Sequence, residues 1–499
     1  MSNGRLLALF LAGITALRWS WGLARPLSPG ESYLALCGFV PSLAYFDGPG
    51  GTPMLVALGI STAGPGGFGA TFFWPLLAAL ASVALYFLVA ALAGSRAALA
   101  AATLLNLFPV FNHAAIAPTC AMPLTAAALG TSLCAWRALE RNSGAWWGAA
   151  GLCAAFGLFF TYSAWFLVPA LALVLLVSHR WRPRLAAPAF WLAWFAPSAV
   201  MLLLLSWNDR NGWIHLIGGT WKTATSLDFA RLPAALASSA MGLSPLVLPA
   251  LFIAGALAFA RVRTSPKIKF VALPALCASL AALYAALRGT SAQAPGLLAA
   301  AWSLPLLAFL PAQLRGIPLR PVMAVVFVSA ALWSAFTLPR PATAVFLDAA
   351  AGRRISALRA AHSDPGSSPP FLVAESAPIA AALALALPDA SAAAPGHPPA
   401  YTLESADARS QFDLWPRYDQ FVEANDTPTS ANPDPFTEQD GANPFVGRSA
   451  LYITTQRLQD LPQAITAAFG GAQLLEEIPT ADGRVLRIYF CSDYQTMPL

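Results

Sequence analysis

The chain reads as a polytopic α-helical membrane protein with a C-terminal α/β domain outside the membrane, and three observations lead there. Of its 499 residues, 57% are hydrophobic and only 10% are charged, a balance unlike that of soluble globular proteins. Apolar runs of about 17 to 25 residues, the length that crosses a bilayer, recur along the first two thirds. Only five of the 23 acidic residues, Glu31, Asp47, Glu140, Asp209 and Asp228, precede residue 341, and the other 18 crowd into the last third. That break separates a transmembrane domain, 1–340, from an extracytoplasmic domain, 341–499.

The apolar runs give about eleven transmembrane helices, at 6–24, 71–92, 97–112, 119–138, 145–160, 163–178, 186–206, 241–260, 268–287, 295–313 and 321–338. The first runs into Arg18-Trp19-Ser20-Trp21 with no small-residue cleavage site, so it is a span and not a cleaved signal. Thr161 and Tyr162 barely separate the fifth from the sixth, which form a tight hairpin or two half-helices. No charge is expected well inside a span, which weighs against a channel or transporter. Alternate short loops carry thirteen Lys and Arg on one side and five on the other. Positive charge marks the cytoplasmic side, so the N-terminus is cytoplasmic and, after an odd number of crossings, residues 341–499 are outside. The net charge of +6 is scattered over these loops with no basic face or arm, so nucleic acid is not an expected partner. The six cysteines show no paired metal-ligand spacing; no cofactor is expected and no divalent metal is indicated.

This orientation gathers the polar chemistry on the outer face, in loops 25–70 and 207–240. Ser28-Pro29-Gly30-Glu31 has the spacing of a helix capping box with Pro at the first helical position, and the apolar stretch behind it suits a helix along the membrane surface. Two readings of Glu31 stay open: it closes the cap, or it serves as general base at the membrane–water boundary. Asp47, in Tyr45-Phe46-Asp47-Gly48-Pro49, is either a turn residue bonded to its own backbone or an acid where Gly and Pro let the chain approach a ligand. His113, beside Asn112, Thr119 and Cys120 at the outer mouth of the third and fourth spans, is a loop histidine or a ligand. Trp207 and Trp213 frame Asn208-Asp209-Arg210-Asn211-Gly212 as an interfacial belt. Arg210, Lys222, Arg231 and Arg288 are the outer cations that can hold a phosphate or meet lipid headgroups.

The tail reads as strands at 371–374, 401–403, 450–455 and 485–490, with helices at 376–387 and near 457–469. An irregular loop covers 423–446, and no repeat has a fixed period.

The motifs Leu27-Ser28-Pro29-Gly30-Glu31-Ser32-Tyr33, Tyr45-Phe46-Asp47-Gly48-Pro49, Ala117-Pro118-Thr119, Phe160-Thr161-Tyr162-Ser163-Ala164 and Asn208 to Trp213 resemble, in order and spacing, those of C-type glycosyltransferases. The branch they resemble holds bacterial relatives of dolichyl-phosphate-mannose–protein mannosyltransferase and the lipid A aminoarabinose transferase. Ser410 to Trp415 and Phe445 to Ile453 resemble the extracytoplasmic domain of that branch. The resemblance implies a multi-pass enzyme of the inner (plasma) membrane. It would transfer a sugar from a polyprenyl-phosphate donor to a lipid, glycan or protein acceptor on the outer face. The general base would be Glu31 or Asp47, with Tyr33, Tyr45, Pro49, His113, Asn208, Arg210, Lys222 and Arg231 holding substrate. The sequence departs from the family pattern at Gly30, where an acidic residue is expected, and at Gly48, Gly50, Cys120 and Thr161. The alternative is therefore a catalytically inactive homologue that binds the lipid-phosphate sugar or assists assembly.

Overall fold

The apolar runs of the first two thirds fold into helices, because within a bilayer a helix satisfies its backbone N–H and C=O groups inside one segment. The computed structural model describes residues 2–23, 25–214, 227–261, 265–289, 293–309, 319–337, 346–363, 368–387, 393–394, 396–405, 408–419, 443–457, 460–480 and 483–495. In chain order the helices are α1 (Asn3–Leu23), α2 (Pro29–Phe39), α3 (Gly51–Ala63), α4 (Gly67–Thr71), α5 (Trp74–Ala93), α6 (Ser95–Asn106), α7 (Pro109–Ile116) and α8 (Ala121–Arg141). They continue as α9 (Gly144–Leu158), α10 (Leu167–Val177), α11 (Pro188–Arg210), α12 (Leu232–Leu243), α13 (Val247–Arg261), α14 (Pro266–Leu287), α15 (Gln293–Leu307) and α16 (Leu319–Thr337). The tail adds α17 (Ala349–Ala361), α18 (Ala377–Ala386) and α19 (Gln463–Thr466). Contacts divide the chain into two units: Met1–Arg25 with Pro41–Pro341, and Pro26–Val40 with Ala342–Leu499.

In the first unit, the segments Asn3–Leu23, Gly67–Ala93, Pro188–Arg210 and Pro266–Leu287 are each long and apolar enough to cross a membrane. Two further spans qualify only as bent pairs: Ser95–Asn106 with Pro109–Ile116, turned by 67°, and Phe229–Leu243 with Val247–Ala260, turned by 103°. The first break falls where Pro109 opens a new helix, since proline has no N–H to continue the old one. The second falls at Ser244, which holds φ at +98°. The remaining apolar helices are shorter, among them α9, α15 and the segment Tyr162–Val177, which begins as a 3₁₀ turn. Loop 25–70 also contains α3, which its glycines and prolines obscure in the sequence. The expectation that no charge lies well inside a span is corrected by Arg18, which sits in α1 at 6% exposure.

The second unit is built on a five-stranded sheet. Its strands are β3 (Phe371–Ala374), β4 (Tyr401–Thr402), β5 (Ala450–Thr454), β6 (Phe469–Pro479) and β7 (Val485–Tyr494), following a two-stranded hairpin β1 (Ala44–Tyr45) and β2 (Gly48–Pro49) in the first unit. The order is β4-β3-β5-β7-β6, with β4, β3 and β5 parallel and β7 and β6 antiparallel. Side chains alternate across a strand. Leu372 therefore joins Ile355, Leu383, Leu451 and Ile488 on one face, while Phe371 and Val373 join Tyr401, Tyr418, Phe445 and Tyr494 on the other. The helix expected near 457–469 is confined to α19, and the chain enters β6 at Phe469. Gly470 and Gly471 are poor helix formers, and β7 offers this segment a full ladder of partners. The segment before the first tail strand contains α17, capped by Asp348, whose Oδ1 accepts from the Ala351 amide at 2.7 Å.

Helix α2 belongs to this second unit although it lies over 300 residues away in the chain. Tyr33 stacks on Phe412 with ring centroids 6.3 Å apart, and the Gln411 amide donates to its hydroxyl at 3.0 Å. Tyr33→Ala removes the stack and the hydroxyl that accepts from that amide. It should destabilise the unit by about 2–4 kcal/mol, measured as faster limited proteolysis within 342–499 of the full-length protein.

On the opposite face, the Tyr494 hydroxyl donates to Glu404 Oε1 at 2.8 Å. Burial raises the Glu404 carboxyl above its ordinary value of 4.5, so the folded protein holds this proton more tightly than the unfolded chain. The resulting stabilisation is complete below the ordinary value and is lost as pH rises through the raised one. Glu404→Gln, which mimics the protonated form, should unfold at a higher temperature than wild type at neutral pH, with the gap closing as pH falls below 4.5.

Candidate active site

Within the first unit, three distant segments meet around one hairpin. Strands β1 and β2 pair Ala44 with Pro49 and Tyr45 with Gly48, which leaves Phe46 and Asp47 as a two-residue loop of the kind that joins tight antiparallel strands. Phe46 turns inward and is buried, while Asp47 is exposed at the tip. The hairpin closes on itself where the Gly50 amide donates to Leu43 O at 2.8 Å. A Cβ at Gly50 would overlap the Ser42 carbonyl oxygen, so no larger residue fits there without moving the turn. The next residue docks the hairpin on the second segment: the Gly51 amide donates to Phe159 O at 2.9 Å, and a Cβ there would lie 2.6 Å from that oxygen.

The end of α11 supplies the third segment. Trp207 Nε1 donates to Ser42 Oγ at 3.0 Å, and the Ser42 amide donates to the Tyr45 hydroxyl at 3.1 Å. Asn208 is fully buried; its Nδ2 donates to the Tyr162 hydroxyl and to Leu204 O, both at 2.8 Å. Its Oδ1 finds no partner among the described residues. Thr161 opens the 3₁₀ turn after α9 by accepting from the Ser163 amide. Residues 42–51, 159–163 and 207–208 are thereby joined by hydrogen bonds.

Of the positions singled out in the sequence, Tyr45, Asp47, Pro49 and Asn208 come together here. Glu31 and Tyr33 belong to the second unit. Glu31 completes the capping box: its Oε2 accepts from the Ser28 amide at 2.9 Å and from Ser28 Oγ at 3.0 Å, with the side chain 4% exposed. His113 is exposed in the last turn of α7. Arg210 is exposed in the last turn of α11, and Arg231 is paired with Asp228 at 3.1 Å and lies against Gly289. Lys222 lies outside the described residues. Near the loop 117–120, Trp74 Nε1 donates to Thr119 O at 2.9 Å. Among the described residues, no three His, Cys, Asp or Glu side chains gather as metal ligands would. Trp207 and Tyr162 were missed as parts of the cluster. Trp207 reads as an interfacial belt, and Tyr162 shows as the polar break between two apolar runs and as part of the motif Phe160 to Ala164, without being singled out as a site residue.

Residues 47–207 match the protein-family model described as dolichyl-phosphate-mannose-protein mannosyltransferase. The matched interval opens at Asp47 and ends at Trp207, so it contains most of the cluster. A search of curated proteins finds no match. Among solved structures, ArnT from Cupriavidus metallidurans aligns over 98% of this chain and 98% of its own at 15% identity, with a TM-score of 0.61 in the apo state. The same protein bound to undecaprenyl phosphate gives 0.60. The archaeal oligosaccharyltransferase AglB from Archaeoglobus fulgidus aligns over 77% of this chain and 64% of its own at 14% identity, with a TM-score of 0.46. The fold is therefore that of an ArnT-like polytopic membrane protein with a strand-containing C-terminal domain. The family match covers residues 47–207, less than half of the chain, and the structural likeness shows the fold.

Asn208→Ala should test how far the cluster depends on its buried amide. It strips the Tyr162 hydroxyl of its donor and should cost about 1–3 kcal/mol. Thermal unfolding in detergent should show a clearly larger loss than Asn211→Ala, whose half-buried Nδ2 bonds only Trp207 O.

Proposed function

We propose that the chain is a membrane glycosyltransferase that moves a sugar from a polyprenyl-phosphate donor to a lipid, glycan or protein acceptor. The observation that carries this reading is the hairpin. Three motif segments of the resembled family join by hydrogen bonds, and an exposed carboxylate stands at the tip. The undecaprenyl phosphate bound to ArnT supports the choice of donor. The charge asymmetry of the loops supports an outward-facing reaction, with the N-terminus in the cytoplasm and residues 341–499 outside the inner membrane.

Asp47 is the general base on this reading, and Glu31 is a helix cap. A cap carboxylate held by both Ser28 donors and 4% exposed is poorly placed to receive a proton from an acceptor; an exposed carboxylate on a rigid turn is well placed. The acceptor hydroxyl attacks the anomeric carbon as its proton passes to Asp47. The bond from that carbon to the phosphate oxygen breaks, inverting the configuration, and polyprenyl phosphate leaves with the electron pair. Arg210 and Arg231, with Lys222, are the cations proposed to hold the departing phosphate, and Tyr45, Pro49, His113 and Asn208 to shape the surrounding pocket.

A second reading is favoured by Gly30, Cys120 and Thr161, which stand where the family pattern has functional residues. It is a non-catalytic homologue that binds the lipid-phosphate sugar.

One experiment separates the two. In membranes supplied with polyprenyl-phosphate sugars, Asp47→Asn should lower transfer by about 10²–10⁴, while Glu31→Gln keeps most of the transfer and loses thermal stability. Full transfer by Asp47→Asn would remove the base assignment, and donor binding without turnover by wild type would favour the non-catalytic reading.

A further inference from the structure

Among the described residues, Arg18 is the position where the first unit breaks the rule that its sequence suggests. It lies in α1, 6% exposed, and no ion pair of the described residues includes it. Its Nη2 donates to Asn106 Oδ1 at 2.9 Å and to Asn112 Oδ1 at 2.7 Å, and its Nε reaches Asn112 Oδ1 at 3.3 Å. Its guanidinium carbon lies 5.4 Å from the centre of the Phe111 ring. Nη1 finds no partner among the described residues.

These partners flank the 67° break between α6 and α7. Asn106 is the last residue of α6, and Asn112 lies in the first turns of α7. A broken span exposes the carbonyl end of its first half, where a helix carries partial negative charge and favours a cation. Asn112 Nδ2 closes one such carbonyl, Asn106 O, at 2.8 Å, and also donates to Ser334 Oγ of α16 at 3.1 Å. Asn106 Nδ2 donates to Ser82 Oγ of α5 at 2.8 Å. A single buried network therefore ties α1, α5, α6, α7 and α16 at the break.

Stability alone does not explain this choice. A buried charge with one nitrogen unmatched is a poor stabiliser beside a well-packed apolar side chain. A planar fork that grips both sides of a bend supplies geometry, which an apolar residue does not. Helix α7 leads directly through Ala117-Pro118-Thr119 to Cys120, the N-cap of α8 and part of the loop that resembles a family motif.

We infer that Arg18 is a positioning residue: it is the tethered cation of the broken span, and through the angle of α7 it sets the place of residues 117–120. The bearing of that loop on sugar transfer rests on the proposed function; the lock itself does not.

The test reads the loop without using activity. Maleimide labelling of Cys120 is followed by mass spectrometry in the full-length protein in nanodiscs, with Cys277 of α14 as internal reference. Arg18→Met should speed Cys120 labelling by about tenfold or more, the shift expected when hydrogen bonds to a charged group are lost. Arg18→Lys, which keeps the cation but not the fork, should fall between Arg18→Met and wild type. A packing role predicts the reverse order, with Met at least as good as Lys. Wild-type labelling in Arg18→Met would overturn the inference. Should Arg18→Met not fold, Arg18→Met with Asn112→Leu removes the two main partners together; fast labelling supports the lock and wild-type labelling overturns it. Asp47→Asn should label as wild type does. If the labelling order holds while wild type itself transfers no sugar, the transferase reading fails and the lock stands.

Discussion

Everything in the first unit depends on one constraint: a polar group inside an apolar helical bundle must find its partner within the chain, because neither lipid nor water will supply one. At three places where a helix stops short or bends, a named side chain covers the gap. The Arg18–Asn106–Asn112 network covers the break between α6 and α7. Trp74 holds the Thr119 carbonyl before α8, and Asn208 holds the Tyr162 hydroxyl after α9. Two of these places, at Thr119 and at Tyr162, are also where family-like motifs lie. Irregular backbone at membrane depth is tolerated only where it is buried in protein or lines a cavity, so site and break fall together for one physical reason.

The segment 26–51 contributes to both units. Residues 26–40 complete the C-terminal unit, where α2 packs through Tyr33 on the Ser410–Trp415 motif. Residues 41–51 dock on the membrane helices through Ser42 and Gly51. The departures from the family pattern at Gly48 and Gly50 gain a local explanation. Gly48 has φ at +148°, and Gly50 is pressed against the Ser42 carbonyl, so this turn is built for glycine. At Gly30 no such constraint operates, since a Cβ there meets nothing within 4 Å. Nothing in the structure explains that substitution.

Much of the architecture was legible in the sequence, because hydrophobic runs and the sudden rise of acidic residues after 340 are long-range signals that need no contacts to interpret. The capping box was equally legible, as Ser28 and Glu31 are three residues apart and bond each other. The breaks were not: 97–112 reads as one apolar run, and only Pro109 hints at the turn inside it. Arg18 was overlooked because its partners lie 88 and 94 residues away, and two asparagines carry no charge to advertise them. Helix α17 and strand β6 were missed for a similar reason, since both are fixed by tertiary partners and not by local propensity.

On the proposed function, the hairpin bearing Asp47, with residues 159–163 and 207–213, forms the surface that meets the polyprenyl-phosphate donor. Photo-crosslinking with a polyprenyl phosphate carrying a diazirine on its first isoprene unit, followed by peptide mapping, tests it most directly. The account predicts adducts on 42–51, 159–163 or 207–213, suppressed by excess unlabelled polyprenyl phosphate. Suppressible adducts confined to helices outside these segments would contradict it.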